Sequence, residues 1–201
     1  IVYINKLMPE LNRLPSEANY EEQLEFILAV QKAVFDVSPV SVGISKNRQR
    51  ELKDLHQLGK GACFDRSRSI EKILRYFGFN IRHLSLYSIE KTNSKIRSLL
   101  TKNVISHSVT EVETKRGWLI VDSYDYWVAL DSDRNPVSIR DIQDSNNGLI
   151  EINWLQRPLN TVVWDGRFTF LYGVYSRHGH FYPPYNFIPD INYREFFLNL
   201  S

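Results

Sequence analysis

Apolar positions in the first part of the chain recur at helical spacing, and later they alternate. Tyr20, Leu24, Ile27, Leu28, Gln31 and Val34 predict a helix that Ser16 caps and that runs to about Phe35. Glu17, Glu21 and Glu22 fall in its first turn, where the helix dipole favours negative charge. The stretch from Asp36, with Pro39 and Gly43, reads as a connection. A second helix starts with Ser45 as cap, has a narrow stripe of Leu52, Leu55 and Leu58, and stops at Gly59. Its Lys46, Arg48, Arg50, Glu51 and Lys53 are explained by a solvated face. After Gly59-Lys60-Gly61, a third helix is predicted from about Ala62 to Phe77. Its buried stripe is Ile70, Ile73, Leu74 and Phe77, and Gly78 ends it.

Beyond Gly78 the period changes to two. Phe79 to Ile89 reads as a strand, with Ile81, His83, Ser85 and Tyr87 on one face and Leu84 and Leu86 on the other. A polar stretch, Glu90 to Asn103, is expected to be a loop with a turn of helix. Val104 to Glu113 and Trp118 to Tyr124 are predicted strands, joined at Thr114-Lys115-Arg116-Gly117 as a hairpin. Trp127 to Leu130 and Pro136 to Ile139 flank a turn at Asp131 to Asn135. Asn146-Asn147-Gly148 is a further turn, with strand-like Leu149 to Ile152 after it, and Ile191 to Leu200 reads as a closing short helix. The expected class is α+β, with N-terminal helices packed on an antiparallel sheet.

Composition narrows the function. At 201 residues and roughly 150 residues per domain, one domain is expected over residues 1–201. Residues 1–44 are its helical lead-in, 45–130 its core and 131–201 an aromatic-rich extension. Lys and Arg total 25 against 23 Asp and Glu, a net charge of +2, so no basic excess points to nucleic acid. No apolar run is long enough to span a bilayer. A single cysteine excludes an intrachain disulfide and a cysteine-based zinc site. The chain starts at Ile1 rather than Met, as a processed or trimmed chain does. Ile1 to Ile4 is either the end of a removed signal or anchor segment, or a first strand or arbitrary chain boundary. With the aromatic-rich segment, this favours work outside the cytoplasm.

The lone thiol is the first candidate for chemistry. Cys63 opens the third helix just after glycine, where unpaired amide N–H groups and the helix dipole favour a thiolate. The usual fate of a lone cysteine is inert burial. Two later residues change that balance: His107 on one predicted strand and Asp122 at the end of the next. If the turn at Thr114 to Gly117 pairs the strands, His107 falls opposite residues 122 to 124. Asp122 then accepts from one imidazole nitrogen and leaves the other for the thiol, which is the arrangement of nucleophile, base and orienter.

Gly61-Ala62-Cys63-Phe64-Asp65, the helix to Gly78, His107-Ser108-Val109-Thr110-Glu111-Val112 and Trp118-Leu119-Ile120-Val121-Asp122 together resemble the bacterial transglutaminase-like core. The resemblance covers about residues 45 to 130. It implies a papain-like α+β fold in which Cys63 is the nucleophile, His107 the general base and acid, and Asp122 its orienter. It also implies an oxyanion hole built partly on the Cys63 N–H, with a second donor upstream. Gln57 and His56 lie in that stretch, and Gly61 lets a substrate approach the backbone. No cofactor and no metal are expected. The implied function is a cysteine peptidase, amidase or acyltransferase acting on peptide or protein amides, including cell-wall or glycan-linked ones, as a monomer. The alternative is a non-catalytic module of the same fold that binds peptide or glycan at the cell envelope.

Other signals are weaker. Asp131-Ser132-Asp133-Arg134-Asn135 imitates the start of a calcium loop, but Pro136 replaces the required glycine and Ile142 the terminal glutamate. His178 and His180 have no third ligand suggested nearby, and a glycine-containing turn explains them better. The aromatic run from Trp164 to Phe187 is either a cleft lining or an extension that packs over the sheet.

Overall fold

The computed structural model describes residues 15–44, 51–101, 104–158, 164, 166–175 and 190–200. Among them are six α-helices and a four-stranded antiparallel sheet. The helices are α1 (Tyr20–Val37), α2 (Leu52–Leu58), α3 (Cys63–Tyr76), α4 (Lys95–Leu100), α5 (Ile139–Asn146) and α6 (Tyr193–Phe196). The strands are β1 (Ile81–Ser88), β2 (Ser106–Thr114), β3 (Gly117–Val121) and β4 (Phe168–Tyr172), with a small pair β5 (Val174–Tyr175) and β6 (Asp190–Ile191). The sheet order is β3-β2-β1-β4.

Local chemistry sets the helix ends. Asn19, not Ser16, caps α1: its Oδ1 accepts from Glu22 N at 3.0 Å, and Glu22 Oε2 accepts from Asn19 N at 3.0 Å. Such a reciprocal cap contributes about 1 kcal/mol. Helix α2 ends at Gly59 in the left-handed conformation, φ 57°, which costs glycine little. The predicted Ser45 cap lies outside the described residues, and Glu51 occupies the cap position of α2.

The sheet has two covered faces. Ile81, His83 and Ser85 of β1 lie opposite Val112, Thr110 and Ser108 of β2. This face meets α3, where Ser67 Oγ stands 3.1 Å from Thr110 Oγ1. Next to it, Ile70 and Leu74 of α3 join Leu24, Ile27 and Val30 of α1, Val112, Leu119 and Val121 in one apolar cluster. Each such fully buried side chain contributes about 1.5–3 kcal/mol. The other face carries Leu84, Leu86, Val109, Ile120, Trp127, Trp164, Phe168 and Tyr172, closed by Ile139 and Ile142 of α5.

One helix was not anticipated and two expectations are corrected. Residues 139–146 form a helix, because Ser138 caps it with Asp141 in return and Ile139 and Ile142 reach the core. Leu149 to Ile152 is not a strand: Leu149 is 72% exposed and no partner strand lies beside it among the described residues. At the C-terminal end, Asp190–Ile191 pairs with β5, and the predicted helix shortens to Tyr193–Phe196 followed by a 3-10 turn, Phe197–Leu200.

Candidate active site

Cys63 is the first residue of α3. Its partial exposure contrasts with the buried Phe64, Asp65 and Arg66 that follow. Asp65 turns back so that its Oδ2 accepts from Ala62 N at 3.2 Å and from Ile44 N at 2.9 Å. One carboxylate thereby satisfies an N-terminal amide and pins the preceding connection to the helix start. Two glycines make room for this packing. A Cβ on Gly43 would stand 2.3 Å from Phe64 Cζ, and one on Gly61 would stand 2.6 Å from Leu55 Cδ1.

The hairpin supplies the other two side chains. Thr110 pairs with Val121 and Thr114 with Gly117, so the register carries His107 and Asp122 to the same end of the hairpin. His107 Nε2 lies 3.1 Å from Asp122 Oδ2, and both residues are buried. Turning Nε2 to Asp122 leaves Nδ1 for another partner. The Cys63 thiol lies close enough to act on the charge of the imidazole. Asp122 is saturated with donors: Oδ1 accepts from Tyr124 N at 2.5 Å and Asp125 N at 3.0 Å. Its Oδ2 also accepts from Trp164 Nε1 at 3.0 Å. The Trp164 ring meets the imidazole edge-on, with centroids 5.9 Å apart.

Charge follows from this geometry. Burial opposes the imidazolium, but Asp122, as charge and acceptor, and the Cys63 thiol outweigh it and raise His107 to about 10. Burial would raise the Asp122 carboxyl, yet the His107 charge and its hydrogen bonds hold it below its usual range. Desolvation pulls the Arg66 guanidinium down to about 10, against the attraction of Asp122 and Cys63. Burial and the charge of Asp122 raise Asp125.

Two residues behind the site were not assigned to it from sequence. Gln31 of α1 is fully buried and its Nε2 faces Asp122 O at 2.8 Å, Trp127 O at 2.8 Å and Asp125 O at 3.3 Å. Arg66 donates to Tyr124 O at 3.2 Å, and its guanidinium lies 3.4 Å above the Phe35 ring centroid. Both hold the turn after Asp122. A glutamine inside an apolar helical stripe was the available signal for Gln31, since a buried amide needs partners. Arg66 carried no signal, because its contacts are all distant in sequence or set by the helix.

The remaining candidates sit as follows. His56 is exposed on α2 and lines an apolar groove with Ala33, Leu55 and Tyr76. Gln57 is exposed on the same helix. The Gly61 N–H is already donated to Pro39 O at 3.3 Å, which removes it as a free donor. In the calcium-like turn, Asp131 Oδ1 accepts from Asp133 N at 3.0 Å and Asn135 N at 2.7 Å, so its carboxylate serves the turn. Among the described residues no group of three or more His, Cys, Asp or Glu is disposed to hold a metal ion. His178 and His180 lie outside the described residues, as do Phe181, Tyr182, Tyr185 and Phe187. Of the aromatic run, Trp164, Phe168 and Tyr172 are buried in the core of the second sheet face.

The chain is thus a mixed helix and antiparallel-sheet protein that holds a histidine against an aspartate, with a helix-terminal cysteine close enough to act on the imidazole's charge. No family model, no curated protein and no solved structure matches it. No helix among the described residues is long and apolar enough to cross a membrane.

Proposed function

We propose that the protein is a cysteine-dependent amide hydrolase or acyltransferase with a papain-like, transglutaminase-like core. The observation that carries this reading is the His107 imidazole, held by Asp122 at 3.1 Å, with the Cys63 thiol at the start of α3 close enough to act on its charge. Cys63 is the nucleophile, His107 the acid–base group and Asp122 the orienter. The imidazole, aimed by Asp122, takes the thiol proton as Cys63 attacks.

The thiolate attacks the carbonyl carbon of a peptide or protein amide. The carbonyl π electrons move to oxygen, and the oxyanion meets amide N–H groups at the α3 N-terminus, that of Cys63 included. His107 then gives its proton to the leaving nitrogen as the C–N bond breaks, which leaves a thioester on Cys63 and a free amine. Water or an acceptor amine loses a proton to His107 and attacks the thioester. Collapse releases acid or new amide and returns the thiolate. Trp164 covers the imidazole edge and donates to Asp122, so the pair works in a dry setting.

The test is a screen of peptide amides and cell-wall fragments against wild type and Cys63→Ala. Turnover by wild type and none by the variant, with unchanged circular dichroism, is the expected result. Equal behaviour of the two proteins overturns the reading and leaves a binding module of the same fold.

A further inference from the structure

An apolar cavity opens beside the turn that follows Asp122. It measures about 260 Å3, and its apolar lining includes Leu24 and Leu28 of α1, Tyr126, Trp127, Leu130 and Leu155. Backbone bonds fix its walls: Asp122 N donates to Trp127 O at 3.1 Å and closes the turn, and Leu155 N donates to Leu130 O at 3.0 Å. Leu24, Trp127 and Leu130 are buried and form the floor, whereas Tyr126 and Leu155 are 53% and 51% exposed at the mouth. The polar groups that line it are accounted for. Arg134 Nη2 donates to Glu21 Oε2 at 3.0 Å, Arg134 O accepts from Tyr20 Oη at 2.6 Å, and Gln156 O accepts from Trp127 Nε1 at 2.9 Å. A site of this kind suits a neutral apolar group.

Two chains of contacts join the cavity to the candidate active site. The Tyr126 ring, on the Asp122 turn, meets Phe35 edge-on with centroids 6.4 Å apart. The Phe35 ring in turn carries the Arg66 guanidinium, one turn along α3 from Cys63. On the histidine side, Trp127 lies 5.4 Å from Trp164, the ring that covers His107. Leu28 and Phe35 lie on one helix, α1, and their spacing amounts to about 10 Å along the helix axis. An extended peptide rises about 3.3 Å per residue. A chain reacting at Cys63 can therefore place a side chain roughly three residues away in the cavity. The volume is smaller than that of a pocket for a drug-sized ligand and suits one large side chain.

We propose that this cavity is a specificity subsite that holds a bulky apolar side chain, leucine or phenylalanine, of the peptide substrate, about two to four residues from the amide that reacts with Cys63. The proposal rests on Cys63 being the nucleophile, and the experiment separates the two. Acetylated peptides of alanine and serine, with one position at a time changed to leucine, phenylalanine or glutamate, are incubated with the full chain, and cleavage is read by mass spectrometry. One position near the cleaved bond should favour leucine or phenylalanine over alanine by about tenfold or more in kcat/KM, and should not favour glutamate. Leu155→Asp should abolish that preference and leave cleavage of the all-alanine-and-serine peptide unchanged, while Leu155→Met should keep it. Leu155 is half-exposed, so both variants fold. In a second arm, the preferred leucine peptide is titrated into Cys63→Ala, and the Trp127 indole N–H resonance should shift saturably, but not when Leu155→Asp is added. Cleavage with no apolar preference, or a preference that survives Leu155→Asp, would overturn the subsite and leave the nucleophile standing. If no peptide is cleaved, each leucine and phenylalanine peptide is titrated instead: a saturable indole shift would keep the cavity as a site for apolar side chains and remove Cys63 as nucleophile, and no shift with any of them would overturn the subsite as well.

Discussion

Gln31 and Asp122 stand 91 positions apart, yet the Gln31 amide donates to the Asp122 carbonyl at 2.8 Å. The same amide nitrogen faces Trp127 O at 2.8 Å. Helix α1 therefore holds the backbone that carries the orienting carboxylate. The Asp122 side chain depends on the same turn, because its Oδ1 accepts the Tyr124 and Asp125 amides. Arg66 ties the turn from its other side through Tyr124 O.

Gln31→Leu keeps the volume of this side chain and removes its donors. Buried carbonyls then lose a partner, and an expected loss of about 1–3 kcal/mol follows. Urea unfolding measures it. The loss should exceed that of Lys32→Leu, an exposed neighbour that pairs with Asp36 in the next turn. Equal losses would mean that the amide does not hold the turn.

Thiol reactivity tests the proposed triad directly. Wild-type Cys63 should react with iodoacetamide readily at about pH 6–7, below the range where a free thiol ionises. His107→Ala should slow the reaction at that pH because the imidazolium partner is gone. Asp122→Asn should slow it less, since it misorients the ring rather than removing it. A wild-type rate that follows a free-thiol curve, unchanged in His107→Ala, would show that the three groups do not act together.

The pH dependence of stability has a definite sign. His107 is raised to about 10 in the folded protein, from about 6.5 when unfolded. Its stabilising contribution is complete below about pH 6.5 and is lost as pH rises toward 10. Asp122 is depressed, so its contribution is present above about pH 4 and is lost as pH falls. The stability gap between wild type and His107→Gln should be widest near about pH 5–6 and narrow by about pH 10. Chemical denaturation across that range reads the gap, and one that grows with pH would contradict the assignment.

Trp164→Phe removes one of the donors to Asp122 Oδ2 while keeping an aromatic ring. A loss of about 1–2 kcal/mol is expected, together with slower Cys63 alkylation, because the carboxylate loses one of the contacts that aim it. Trp154→Phe serves as the control. That ring packs against Trp127 at a centroid distance of 5.8 Å, so it should cost stability without changing the pH profile of alkylation.

Gly43→Ala tests the seat of the helix that carries Cys63. The added methyl would meet Phe64 Cζ at 2.3 Å and Asp65 Oδ2 at 3.1 Å. Because Phe64 is buried, it has little room to yield, and about 1–3 kcal/mol of destabilisation is expected. Thermal unfolding checks it, with Gly148→Ala for comparison: its Cβ meets nothing within 4 Å, although its φ of 75° adds backbone strain.

Much of the local structure was legible because its causes are local. The apolar spacing of Leu24, Ile27 and Val34 specified α1, and the stripe of Ile70, Leu74 and Phe77 specified α3. The hairpin turn at Thr114 to Gly117 set a register that places His107 near Asp122, because side chains on paired strands alternate with a fixed period. Cys63, His107 and Asp122 could be picked out for that reason. Helix α5 was missed because its apolar positions are few, and its capping by Ser138 and Asp141 was not read as a helix start. Tertiary packing alone decided the rest. Gln31, Arg66 and Trp164 reach the Asp122 turn from distant parts of the chain, and their partners are mostly backbone atoms or a shared carboxylate. No sequence period encodes such contacts, since any residue can supply a backbone carbonyl. The pairing of Glu111 with Arg82 has the same origin: the two come from β2 and β1, 29 positions apart, and only folding brings them together.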